Sequence, residues 1–324
     1  MNHSEGPKLK SHLSEKATSP SIARGYACCL FAVLLWSVTF VTTKQLLEHF
    51  GAVQILFTRF VFGYLTLWLL APHKTPWLGR KTEMRIALCG FLSVTCYFLL
   101  ENLALVFGPA GMVAVLICTA PVMTAFFGRL IGRIQQLPLL YWTGALATLP
   151  GIALIVGSGS DIGDNTLFSK SILLSATLAL SGAATWAWYT LLYPKTSAVG
   201  RLQVTRRIFF WGLLSMLPLC AFTFDRWSFA PMLEPALLGR LAFLGIVASA
   251  LCYAAWNTAV AVLGEVRSTV CLYMNPPLGV LAGVIVLSEP LTTPVIAGVL
   301  LTLIGVIVST QAANRPAPKN TTPA

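Results

Sequence analysis

Apolar residues in this chain fall into long runs separated by short polar connectors, without alternation of apolar and polar positions inside the runs. Ten runs can be placed, at about 25–45, 53–71, 84–107, 110–130, 138–157, 171–193, 204–224, 237–262, 266–287 and 293–311. Each is near the ~20 residues that a helix needs to cross the hydrocarbon of a bilayer. A membrane strand would alternate with a period of two, so the runs predict an all-α integral membrane bundle of ten transmembrane helices.

The polar interruptions are duplicated. Ser93, Cys96, Tyr97, Gly108, Leu116 and Pro121 recur 156 residues later as Ser249, Cys252, Tyr253, Gly264, Leu272 and Pro277, and Pro138 recurs as Pro294. Gly144, Thr148, Leu149 and Gly151 recur after 154 residues as Gly298, Thr302, Leu303 and Gly305. Weaker matches pair Trp36 with Trp186 and Arg59 with Arg207. Five spans is an odd number, so the second copy must enter the membrane in the opposite sense. The prediction is two inverted five-helix repeats, 25–160 and 161–312, between an N-terminal tail 1–24 and a C-terminal tail 313–324. Many secondary transporters have this architecture, with the substrate site near the midplane between the repeats.

Composition supports a membrane solvent: 10% of the residues are charged and 56% apolar, too few charges for a solvated surface. A formal charge of +11 would suggest nucleic acid for a soluble protein, but here the basic residues occupy connectors. With the amino terminus inside, seventeen Lys and Arg fall on the inner side and only Lys44, Lys170, Arg226 and Arg240 on the outer side, leaving Arg59 within a span. This bias predicts both termini in the cytoplasm and no nucleic-acid partner. The first 23 residues are polar and precede a long apolar run without a clear cleavage site, so they read as an uncleaved tail. The eight cysteines lie inside the runs without zinc-finger spacing and read as buried thiols. No cofactor is implied: there is no Walker A loop, and His3, His12, His49 and His73 lie in tails or connectors.

The candidate chemistry lies where polar groups interrupt the runs. Glu101 is the one carboxylate well inside a span, about six residues from its end, and Arg59 lies at similar depth in the second run. Ionisable residues in hydrocarbon are functional candidates, so the two form either a structural ion pair or a coupling pair in which Glu101 exchanges a proton. The repeat puts Asn257 at the position of Glu101, and both would face the pseudo-symmetry axis from opposite halves. Trp36, Tyr97, Trp186, Tyr189, Tyr253, Trp256 and Tyr273 supply mid-span rings, with Asn102 and Asn275 as further polar contacts, and all are candidate substrate-binding residues. An aromatic cavity would suit apolar or aromatic side chains and could hold an ammonium group, at ~2 kcal/mol when desolvated. Trp186 and Tyr189 are spaced to share a helix face. Trp188 reads as packing, Trp77 and Trp227 as interfacial anchors, and Lys44 as snorkelling to headgroups. Pro121, Pro276 and Pro277 remove backbone donors inside spans and are candidate hinges. Gly279 and Gly283 predict close helix packing within the monomer or, alternatively, a homodimer contact.

The order and duplication of these motifs resemble the drug/metabolite transporter superfamily, in particular its EamA-type ten-span exporters. The resemblance rests on a tryptophan in the first span of each half, an arginine in the second, a proline in the fourth, and Ser288-Glu289-Pro290-Leu291 before a glycine-spaced last helix. Tyr253-Ala254-Ala255-Trp256-Asn257, and Trp186 with Tyr189, are similar to the eighth and sixth spans of its metabolite exporters. In the first half the counterpart of Glu289 is Arg133, a departure from the family pattern. The resemblance implies export of small metabolites, often amino acids or related compounds, across the bacterial inner membrane by alternating access; for such a cycle the energy would come from the substrate gradient or from protons. The alternatives are uptake by the same fold, or a membrane enzyme or sensor subunit without flux.

Overall fold

The computed structural model describes residues 19–73, 75–133, 138–158, 170–194 and 199–313. Every regular element among them is helical. The helices are α1 (Ser19–Leu46), α2 (Ala52–Leu70), α3 (Arg80–Phe107), α4 (Ala110–Leu130), α5 (Leu139–Ser158), α6 (Lys170–Leu192) and α7 (Arg201–Thr223), followed by α8, α9 and α10. The α8 helix comprises Pro235–Ala242, Phe243–Leu251 and Cys252–Cys271; α9 is Asn275–Leu287 and α10 is Thr293–Ala313. Seven described helices are long and apolar enough to cross a membrane, and Leu139–Ile155, Asn275–Leu287 and Thr293–Ser309 are shorter apolar helices. The protein is a ten-helix membrane bundle of two inverted repeats, whose outward-facing large apolar side chains, such as Leu69, Leu139 and Ile285, suit lipid contact.

Two boundaries differ from the sequence expectation. The α1 helix starts at Ser19, because nothing in Ser-Ile-Ala-Arg breaks a helix. Helix also continues through the connector expected near 262–266, as far as Cys271; this segment has no proline, and its single glycine costs only about 1 kcal/mol. The irregular step falls instead at Leu272–Met274, a 3₁₀ turn immediately before Asn275-Pro276-Pro277. The first repeat breaks at the matching place: α4 halts at Ile117 and restarts at Ala120-Pro121. Proline disfavours helix in the residue before it and donates no bond backward, which explains both breaks. The two breaks meet, with the Cys118 thiol 3.9 Å from the Leu272 carbonyl.

Glycines set the helix crossings, again in duplicate. A Cβ at Gly245 would lie 2.6 Å from the Arg59 carbonyl, and one at Gly90 would lie 2.5 Å from that of Ile208. Thus α2 packs on α8 as α7 packs on α3. At the periphery α5 meets α10, where a Cβ at Gly144 would sit 2.8 Å from the Gly305 carbonyl and one at Gly151 2.8 Å from that of Gly298. Backbones this close leave no room for a side chain, which is how small residues hold membrane helices together. Gly279 and Gly283 are used within the chain: a Cβ at Gly279 would lie 2.6 Å from that of Ala114 on α4.

Candidate functional site

The centre of the bundle is built on two irregular segments. Both α3 and α8 pass through π-helical turns, Phe91–Cys96 and Phe243–Leu251, at equivalent places in the two repeats. Such turns re-aim side chains and are frequent at functional sites. In α8 the turn presents Ser249, whose hydroxyl oxygen accepts a 2.7 Å bond from Arg59 Nε. It also presents the Ala248 carbonyl, which accepts a 2.8 Å bond from Trp36 Nε1.

A continuous set of rings surrounds this point and draws on both repeats. Tyr253 of α8 lies 5.8 Å from Trp36 (α1), 6.1 Å from Trp186 (α6) and 5.4 Å from Phe209 (α7), between ring centroids. Trp186 also meets Tyr97 of α3 at 5.0 Å and Tyr189 at 5.1 Å, as their shared face requires. Trp256 contacts Trp36 at 5.5 Å and packs on the cluster of Cys29, Val33 and Ala259, away from the other rings. Trp188 stacks on Phe127 at 5.2 Å and serves packing.

Several buried polar side chains keep an atom without a partner. Arg59, Glu101 and Asn102 are each 2% exposed, and Arg59 Nη1, Glu101 Oε1, Asn102 Oδ1, the Tyr253 hydroxyl and Asn275 Oδ1 make no hydrogen bond. Arg59 and Glu101 feel each other's charge, but they form no ion pair. The expected direct pair is therefore replaced by a bond from Arg59 to Ser249, with its guanidinium 4.2 Å from the Phe98 ring centroid. Glu101 adjoins the Tyr97 hydroxyl one turn earlier on α3. Orphaned polar groups at this depth are expensive, and they persist where something else completes them.

Asn257 does not join this group. Its side-chain amide donates a 2.7 Å bond to Thr205, and its backbone carbonyl accepts one from Arg201, beside a cavity of about 250 Å³ lined by Arg201, Leu202, Ala254, Asn257 and Thr258. Glu101 instead lies toward the opposite end, where Asn102 donates to the Ala52 carbonyl at 3.1 Å. Inversion of the repeats explains the separation, since equivalent positions fall at mirrored depths. The match of Arg59 with Arg207 also shifts by one residue. Ile208 occupies the place of Arg59 at the glycine crossing, and Arg207 pairs with Glu83 in the first turn of α3 and donates to the Thr75 carbonyl in the α2–α3 connection at 2.8 Å. Pro121 lies near the start of the second part of α4, and Pro276 and Pro277 near the start of α9. The side chain of Tyr273 lies outside the described residues.

A second polar site was not assigned from sequence. Glu289, just after α9, accepts bonds from the backbone N–H groups of Ala110 (2.6 Å) and Gly111 (3.1 Å), so it caps the start of α4 across the repeats. Lys44 donates to the Gly108 carbonyl at 2.5 Å and lies 3.9 Å from Glu289. It therefore points into the protein rather than snorkelling, because the Gly108 carbonyl and the Glu289 carboxylate both lie within its reach. The signal was present in Gly108-Pro109-Ala110-Gly111, a helix start with small residues whose open N–H groups suit an anion. Arg133, the counterpart of Glu289, donates to the Leu191 carbonyl near the end of α6. A cation thus serves a helix C-terminus where an anion serves an N-terminus, which accounts for the departure at this position.

Comparison with known proteins agrees with this architecture. The model of the EamA-like transporter family matches residues 23–157 and again 173–311. The chain is 26% identical over 283 residues to a probable terminal-alkyne amino-acid exporter of Streptantibioticus cattleyicolor, covering 86% of this chain and 91% of that protein. It is 24% identical over 294 residues to an uncharacterized transporter of Clostridium kluyveri, covering 88% and 93%. A solved crystal structure at 18% identity shares the fold with a TM-score of 0.59, covering 93% of this chain and 99% of that one. With two family units spanning nearly all of its length, the chain belongs to the EamA-like transporter family.

Proposed function

We propose that this protein is a secondary transporter, not an enzyme, that exports amino acids or related small metabolites across the bacterial inner membrane by alternating access, with both termini in the cytoplasm. The observation that carries this reading is the central cluster: rings from α1, α3, α6, α7 and α8 close around Arg59, Glu101 and Tyr253, each of which keeps one buried polar atom without a partner. A site assembled from both repeats opens to either side when the repeats rock against each other. The breaks at Pro121 and at Pro276-Pro277 meet at the centre and are the hinges of that motion. The name of the Streptantibioticus cattleyicolor relative supports an amino-acid substrate and the export direction.

The test is counterflow of a labelled pool of amino acids into liposomes bearing the purified protein, with Glu101→Gln beside the native chain. Saturable exchange is expected. Glu101 is faced by Arg59 from α2, Tyr97 on its own helix and Tyr253 from α8, and it is the carboxylate among them. The variant is therefore expected to exchange with a flattened pH profile. Normal flux with an unchanged profile removes Glu101 from proton coupling, and no exchange of any pool component rejects an amino-acid substrate.

A further inference from the structure

The substrate's charge class can be read from the orphaned atoms, and this inference rests on the transporter reading above. We propose that Arg59 and Glu101 bind the two ends of a zwitterionic headgroup: the substrate carboxylate on the Arg59 guanidinium and Tyr253 hydroxyl, the substrate ammonium on the Glu101 carboxylate.

Three observations converge. Opposite charges on neighbouring helices α2 and α3, each 2% exposed, would gain by direct contact, yet they stand apart. Each keeps one polar atom unbonded, Nη1 on the cation and Oε1 on the anion, and the Tyr253 hydroxyl between the repeats is also unbonded. The atoms already satisfied are those that fix orientation, as Arg59 Nε does on Ser249. The remaining groups are a cation with a hydroxyl and an anion, with Tyr97 and Trp186 forming an apolar wall beside them.

A zwitterion completes this set without adding net charge to a buried site. An amine that lacks the carboxylate would leave Arg59 unpaired, and an acid that lacks the ammonium would leave Glu101 unpaired. Leaving a buried charge without its partner is strongly unfavourable, and sites built to bond a group discriminate sharply against analogues that lack it.

The experiment is competition against counterflow of the labelled amino-acid pool in liposomes of phosphatidylethanolamine and phosphatidylglycerol. L-phenylalanine, 2-phenylethylamine and 3-phenylpropanoate carry the same ring and differ in their charged groups. L-phenylalanine is expected to compete at least tenfold better than either analogue. Equal competition by the three, or by none of them, with pool exchange intact, overturns the assignment and leaves the transporter reading standing. Failure of the whole pool to exchange rejects the amino-acid substrate of the proposed function instead. Two variants sharpen the assignment. Arg59→Gln is expected to raise the amine at least tenfold relative to the zwitterion, and Glu101→Gln to do the same for the acid. An unchanged ranking in both argues against these residues, and if either variant fails to fold the native competition profile still decides.

Discussion

Trp186 and Trp256 look alike in the sequence, each an aromatic in the last third of a span of the second repeat, yet their surroundings differ. Trp186 touches Tyr97, Tyr189 and Tyr253, whereas Trp256 reaches the cluster through Trp36 alone and otherwise packs near Cys29. Trp186→Ala is therefore expected to abolish at least half of the thermal stabilisation conferred by an exchanging amino acid, while Trp256→Ala keeps most of it. Each variant should be read against its own ligand-free baseline, since truncating a large ring that packs on the core destabilises the protein in any case, by up to ~3–5 kcal/mol where the ring is fully buried. Equal losses in both would dissolve the distinction. Residue identity was legible at most of these positions because a polar or aromatic group in an apolar run stands out. Partnership was not legible: Arg59 matches Arg207 only weakly, and a one-residue difference rotates a side chain by about 100° on a helix. Only the Gly245 and Gly90 crossings reveal Ile208 as the true counterpart.

At the scale of elements, the two proline breaks were legible because proline acts on its own chain locally. The cap on α4 was not, since its carboxylate arrives from 178 residues away. Glu289 joins α4 of the first repeat to the end of α9 in the second, with Lys44 of α1 completing the set. An anion at a helix N-terminus contributes up to ~2 kcal/mol in a partly buried geometry, and each 1.4 kcal/mol is a tenfold change in population. If this contact holds the bundle shut at that end, Glu289→Gln should open it more often. Cys118, at the break in α4, would then react roughly tenfold faster with a membrane-impermeant maleimide applied from the Glu289 side, as read on its own peptide by mass spectrometry. An unchanged rate at Cys118 would mean that the cap stabilises α4 without gating the site.

For the whole molecule, the inverted repeat was legible from residue offsets, and the structure adds that its two copies cross at glycines in the same way. Orientation rests on charge. One end of the bundle gathers Arg201, Arg206 and Arg207, with Arg206 and Arg207 donating to the carbonyls of Ala71, His73, Thr75 and Pro76 in the α2–α3 connection. The other end carries Lys44 and Glu289, and there Gln54 and Ser228 tie α2 to the α7–α8 connection. Basic connectors are retained on the cytoplasmic side during insertion, so the arginine-rich end should face inward. Two exposed positions separate the possibilities: Trp77 in the α2–α3 connection is 70% exposed and Leu233 in the α7–α8 connection is 85% exposed. Leu233→Cys should react with an impermeant maleimide in intact cells and Trp77→Cys in inside-out vesicles. The reverse pattern would place Glu289 in the cytoplasm. Closure at Glu289 would then block the inner entrance, and the same site, read from the other side, would favour uptake over export.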